Sequence, residues 1–234
     1  MAEEVEKFNP IAMLNDLQLV DDSEVDKYEK SLAEEKEKER LSIIEENYKK
    51  KSSGVPSRYL NESLETYKPT PENAQSYKWI LGFTNAVINK KNTKNIVYIS
   101  GKFGTGKTHL GCGMVRKLGG KIITSLELCI TYDSCRDFKS DSTRIYFLKH
   151  LCDDNDVLVI DEIGKGIASI EKEIMPYIVN EFYGSGKILV FLGNESKEDF
   201  NKTIGEAGTD RMSEVGVYLS LIGESCRGGN KWKR

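Results

Sequence analysis

The run Gly101-Lys102-Phe103-Gly104-Thr105-Gly106-Lys107-Thr108 constrains the fold of this chain more than any other feature. It matches G-x-x-x-x-G-K-[ST], and it stands directly after the apolar run Ile96-Val97-Tyr98-Ile99 and before a helical pattern, the context that gives the spacing its chemistry. The glycines let backbone amides turn inward around phosphate oxygens. Lys107 can neutralise β- and γ-phosphate charge, and Thr108 can offer a hydroxyl to Mg²⁺ at a helix N-terminus that itself favours anions.

Further short, β-branched runs follow at Lys121-Ile122-Ile123-Thr124, Val157-Leu158-Val159-Ile160, Ile188-Leu189-Val190-Phe191-Leu192 and Val217-Tyr218-Leu219-Ser220-Leu221, with helical patterns between them. Strands separated by helices pair in parallel, and parallel sheets are covered on both faces. The expected fold is therefore α/β: three layers, α-β-α, around a parallel five-stranded sheet. Glu72 to Ile88 carries apolar residues at helical spacing and forms a helix leading into that core. At 234 residues the chain can bury a sizeable core. It has no run of roughly 18 apolar residues, as a membrane span requires. Its acidic N-terminus is unlike a secretory signal, which places it in the cytoplasm. Five cysteines with no C-x-x-C pair argue against a zinc knuckle or a disulfide framework and read as reduced, mostly buried thiols.

Residues 1–53 are different in character. They carry fifteen acidic and nine basic side chains, so the acidic excess lies here and the remainder is mildly basic. Asn9-Pro10 reads as a helix start, and Phe8, Ile11, Leu14 and Leu17 form an apolar stripe. A second helix is expected over about Ser23 to Lys51, with two short apolar patches separated by a charged run. The segment is either a solvated arm or a partner-binding element whose patches another protein covers. Ser52-Ser53-Gly54-Val55-Pro56 ends it. The organisation expected is an arm over 1–53, a linker and leading helix over 54–94, and the nucleotide-binding core over 95–234.

Val157-Leu158-Val159-Ile160-Asp161-Glu162 is a strand ending in two acids. In an open parallel sheet, ligands bind at the carboxyl ends of strands, so these carboxylates fall beside the phosphate loop. There Asp161 would help hold Mg²⁺ and Glu162 would act as general base toward water. Asn194, just past the fourth strand, either orients the lytic water or caps the next helix. Arg211 in Asp210-Arg211-Met212, and Arg227, are each an arginine finger from a neighbouring subunit or a surface salt bridge. Between Leu126 and Lys149, Tyr132, Arg136, Phe138, Lys139, Arg144, Tyr146 and Lys149 interleave rings and cations. Such a segment tracks single-stranded DNA if the rings are exposed and is an ordinary amphipathic helix if they are not.

The series Gly54-Val55-Pro56-Ser57-Arg58-Tyr59, the phosphate loop continuing into His109-Leu110, Val159-Ile160-Asp161-Glu162-Ile163-Gly164, Asn194 and Asp210-Arg211-Met212 resembles the AAA+ P-loop replicative-helicase loaders of the DnaC/DnaI type, with the transposition ATPase IstB as a relative. The likeness runs from about Gly54 to Arg227. It implies that Gly101, Phe103, Gly104, Thr105, Gly106, Lys107, Thr108 and His109 contact ATP, that Thr108 and Asp161 hold Mg²⁺, and that Glu162 supports hydrolysis. It also implies that Asn194 is a sensor, Arg211 a finger acting in trans across ATP-dependent subunit contacts, and Arg227 a second sensor. The chain departs from the pattern in three ways. No second arginine precedes Asp210-Arg211-Met212, no cysteine precedes Cys112 to build a zinc-bearing arm, and the stretch after the fifth strand is too short for a full helical lid. The function implied is an ATPase that binds a hexameric replicative helicase through Phe8, Ile11, Leu14 and Leu17 and helps place it on single-stranded DNA. An IstB-like transposition ATPase and a nucleotide-binding helicase adaptor without turnover are the alternatives.

Overall fold

The computed structural model describes residues 26–36, 38, 53–135, 142–223 and 225. Contacts divide the chain into Met1–Ile43 and Ile44–Arg234. In the first unit, residues 26–36 are helical, in agreement with part of the expected second helix. The stripe Phe8, Ile11, Leu14 and Leu17 lies outside the described residues.

The second unit holds all five expected strands. They are β1 (Ile96–Gly101), β2 (Lys121–Thr124), β3 (Val157–Ile163), β4 (Ile188–Gly193) and β5 (Gly216–Leu221), in the order β2-β3-β4-β1-β5. Every pairing is parallel. Alternation along the strands feeds two cores. Ile96 and Tyr98 of β1 point to one face, under α3 (Ser125–Ser134), α4 (Ser142–Asp153), α5 (Ala168–Ser185) and α6 (Lys197–Val215). Val97 and Ile99 point to the other, under α1 (Ala74–Ile88) and α2 (Lys107–Leu118). A strand buried on both faces has to be apolar throughout, which is why these runs do not alternate with polar residues.

Leu64, Tyr67, Ile80 and Phe83 belong to the second core, so the stretch between Gly54 and β1 is packed into this unit. The helix expected at Glu72 starts two residues later, after a turn in which the amide of the buried Asn73 donates to the Thr70 carbonyl at 3.0 Å. α6 is two helical pieces joined at Gly205, whose φ of 74° breaks the regular path. Cys112, Cys129 and Cys152 are buried free thiols as expected, and burial pushes Cys112 and Cys152 up to about 12. Such thiols stay protonated and unreactive. Among the described residues, no helix is long and apolar enough to cross a membrane.

Phe200 anchors α6 to the sheet. Its ring stacks on Tyr98 with centroids 4.0 Å apart and meets Phe191 edge-on at 5.1 Å. Replacing a fully buried aromatic by alanine typically costs about 3–5 kcal/mol. Phe200→Ala should lose stability of that order in urea denaturation, whereas Tyr146→Ala, at an exposed ring, should change it by less than about 0.5 kcal/mol.

Candidate functional site

The phosphate-loop pattern folds as the turn between β1 and α2. Gly104 and Gly106 have φ of 81° and 93°, left-handed backbone that only glycine adopts without penalty. There is no room for a side chain either. A Cβ on Gly106 would stand 2.5 Å from the Tyr67 ring, and one on Gly104 would run into Ser225 Oγ. The Tyr67 hydroxyl donates to the Thr105 carbonyl at 3.0 Å, and Thr105 Oγ1 donates to the Lys102 carbonyl at 2.9 Å. Lys107 Nζ donates to the carbonyls of Gly101 at 2.6 Å and Lys102 at 2.9 Å. The loop is thus braced from within and by Tyr67, and its ammonium faces neutral carbonyls that an anion can outcompete.

Across the cleft, Asp161 is only 6% exposed. Thr108 Oγ1 donates to Asp161 Oδ2 at 2.7 Å, and the Glu162 amide donates to Oδ1 at 2.8 Å. Burial pushes the Asp161 carboxyl above its ordinary range, and these two donors partly offset the rise. Two hard oxygen groups, a hydroxyl and a buried carboxylate, therefore converge from segments far apart in sequence, a donor set suited to Mg²⁺. The β3–β4 register shifts between Ile160 and Ile163, and Glu162 has φ of 57°. This bulge turns Glu162 out of the sheet, and the side chain is exposed in the cleft.

β4 lies between β1 and β3, with Gly193 in register with Ser100 on one side and Ile163 on the other. Asn194, the next residue, therefore emerges between the phosphate loop and the Asp161-Glu162 pair. The cleft, about 220 Å³, is lined by the loop, Asp161, Glu162, Lys165 and Asn194, and on its far wall by Arg58, Tyr59 and Glu62. Phe103, Gly104, Gly106, Lys107, Thr108 and His109 all reach it.

His109 is engaged at the wall of the cleft. Its Nε2 lies 2.8 Å from the Ser63 carbonyl, 3.0 Å from Thr66 Oγ1 and 3.4 Å from Glu62 Oε2, so the ring ties the start of α2 to residues 62–66. Arg211 is not in the cleft lining of its own chain. Its guanidinium donates to Asn180 Oδ1 at 2.7 Å and to the Ala207 carbonyl at 3.1 Å, and lies 5.4 Å from the Tyr183 ring centre. Arg227, Arg136, Phe138 and Lys139 lie outside the described residues.

The expected stacking surface needs one correction. Tyr132 is 5% exposed, its hydroxyl donates to Glu173 Oε1 at 2.6 Å, and Arg144 covers its ring at 4.7 Å while bonding Asp133 at 2.8 Å. Tyr132 and Arg144 are thus spent on one another and on the core. Of the expected rings that the structure describes, Tyr146, at 64% exposure, is the one presented to solvent. Tyr67 and Lys165 were not read as site residues from the sequence. Lys165 follows Glu162 by three positions and could have been suspected; nothing local marks Tyr67.

No family model matches the chain, and no curated protein does. Among solved structures it is similar to the DnaC helicase loader, with 23% identity and a TM-score of 0.59 over 71% of this chain and 100% of that one. It is similar to DnaI at 16% identity and 0.55, over 71% and 94%. It is also similar to AMPPCP-bound DnaA from Aquifex aeolicus at 18% and 0.54, over 71% of this chain and 51% of that one, so it spans about half the DnaA chain. At these identities the likeness is one of fold, a parallel five-stranded sheet with helices on both faces.

Gly106→Ala would bring a Cβ onto the Tyr67 ring at a backbone conformation costing roughly 1–2 kcal/mol for an L-residue. We expect affinity for a fluorescent ATP analogue to fall by about tenfold or more, equivalent to about 1.4 kcal/mol, with the far-ultraviolet circular dichroism of the protein unchanged.

Proposed function

We propose that the chain is a cytoplasmic ATPase that binds ATP with Mg²⁺, hydrolyses it, and uses that cycle to help place a hexameric replicative DNA helicase on single-stranded DNA. The observation that carries the nucleotide reading is the 2.7 Å contact of Thr108 with Asp161 beside an exposed Glu162. In this reading Lys107 moves its ammonium from loop carbonyls to phosphate oxygens, and the loop amides take up the remaining charge. Thr108 and Asp161 would hold Mg²⁺, which supplies charge neutralisation at the phosphates when bound. Glu162 accepts a proton from the attacking water, and Asn194 orients the water or a phosphate oxygen. Arg211 acts on the nucleotide of a neighbouring subunit, which fits its position outside its own cleft.

The loader reading is supported by the likeness of fold to the solved chain of the DnaC helicase loader, over 100% of that chain and 71% of this one. The composition of residues 1–53 also supports it, because the stripe Phe8, Ile11, Leu14 and Leu17 is too short to hold a core of its own. Burying such side chains in a partner's groove is worth roughly 1.5–3 kcal/mol each.

Lys107→Ala should abolish ATP binding in equilibrium titration. Glu162→Gln should keep binding while turnover falls by roughly 10²–10⁴-fold, since the carboxamide keeps the shape but is a poor base. A Glu162→Gln protein with wild-type turnover removes Glu162 from that role, and a wild-type protein that binds ATP without turnover leaves the adaptor alternative in place.

Removal of residues 1–53 should leave ATP binding intact and abolish capture of the helicase in pull-down, and Ile11→Asp with Leu14→Asp should do nearly the same. Unchanged capture by the truncated protein places docking on the ATPase unit instead.

A further inference from the structure

The turn after Glu162 is held by a residue nine positions along the chain. Glu171, in the first turn of α5, is 3% exposed, and its Oε1 accepts three hydrogen bonds. The Gly164 amide donates at 3.0 Å, the Gly166 amide at 3.1 Å, and the Ser125 hydroxyl at the start of α3 donates as well. Within the loop, the Lys165 amide donates to the Glu162 carbonyl at 3.0 Å.

The loop is also enclosed sterically. A Cβ at Gly164, where φ is 82°, would run into the Glu195 carboxylate. One at Gly166 would lie within 2.9 Å of Glu171, Ser125 and Cys129. Glu162 itself has the left-handed φ of 57° at a break in the ladder, a conformation that costs of order 1–3 kcal/mol unless its surroundings impose it. The three donors converging on Glu171 are such surroundings. A buried carboxylate is tolerated only when hydrogen-bonded, and here those bonds are spent on both sides of Lys165.

We propose that Glu171 is a positioning residue, which pins Gly164 and Gly166 and thereby holds Glu162 in the conformation that aims its carboxylate into the cleft. It is not among the residues that line the cleft, and acts through the backbone of the turn. The assignment rests on the ATPase reading, and it concerns catalysis rather than nucleotide affinity, because the phosphate loop is braced independently by Tyr67 and its own carbonyls.

The test compares full-length wild type with Glu171→Met, which keeps the length and removes the acceptor, and Glu171→Gln, which retains an acceptor oxygen. ATP affinity and kcat are measured alongside amide exchange by NMR. Glu171→Met should lower kcat by about 10–100-fold, the range seen when supporting partners of reactive groups are removed. Its ATP affinity should stay within about threefold of wild type, and Glu171→Gln should recover most of the turnover. The Gly164 and Gly166 amides should be protected in wild type and released in Glu171→Met.

Wild-type turnover in folded Glu171→Met overturns the proposal. So does a loss of affinity that tracks the loss of kcat, which would make Glu171 a general pillar of the fold. Unprotected Gly164 and Gly166 amides in wild type overturn it whatever the variants do. If Glu171→Met does not fold, Glu171→Asp decides: one methylene shorter, it should show the same split at smaller amplitude, and wild-type turnover there refutes the assignment. A wild-type protein that binds ATP and never turns it over fails differently, by silence in every variant, and removes the ATPase reading together with this one.

Discussion

The hydrogen bond from Thr108 to Asp161 joins residues 53 apart in sequence, and much of the molecule serves to bring its two ends together. Thr108 is placed by the turn from β1 into α2; Asp161 is placed at the end of β3, two strands away. Reaching 2.7 Å across the end of β4, which lies between them, requires that end to be slim, which Gly193 provides. A Cβ there would lie 2.6 Å from the Ile163 side chain. It also requires α2 to settle closely on the sheet. Gly111 meets that need, since a side chain there would press into Leu192 and Val159. Close helix-on-sheet packing leaves little freedom for either partner of the bond, because interiors packed at crystal-like density do not deform cheaply.

Burial of Asp161 has an electrostatic consequence. A carboxylate withdrawn from water resists ionisation, and its carboxyl is pushed up accordingly. Two hydrogen bonds, from the Thr108 hydroxyl and the Glu162 amide, offset part of that cost. At Glu171, neutral amide and hydroxyl donors likewise satisfy a buried side-chain oxygen. Polar groups of this core are thus concentrated where strands end and loops begin, while the strand interiors remain apolar on both faces.

Lys107, Thr108, Asp161, Glu162 and Asn194 all reach one cleft, as expected, because the glycine turn, the two acids and Asn194 sit at the carboxyl ends of β1, β3 and β4, and parallel strands align those ends. Tyr132 went the other way: its ring is covered by Arg144 and its hydroxyl is held by Glu173. Interleaved rings and cations look alike in sequence whether they face solvent or pair among themselves. Tyr67 and Glu171 were invisible for a related reason, since each acts through a contact with a loop distant in the chain or through backbone amides that carry no residue signature.

By itself the sequence determined the local elements: five strands, the glycine turn after the first, and the acids ending the third. These follow from hydrophobic runs and from backbone conformations open only to glycine, both of which are properties of neighbouring residues. Only the tertiary structure decided that β4 inserts between β1 and β3, that Tyr67 braces the phosphate loop, that Arg211 is held by Asn180 and Ala207 outside the lining of its own cleft, and that Glu171 secures the turn beyond Glu162. Strand order is chosen by which sheet arrangement buries both faces beneath the helices, and that choice is made by contacts between segments whose separation no local pattern encodes.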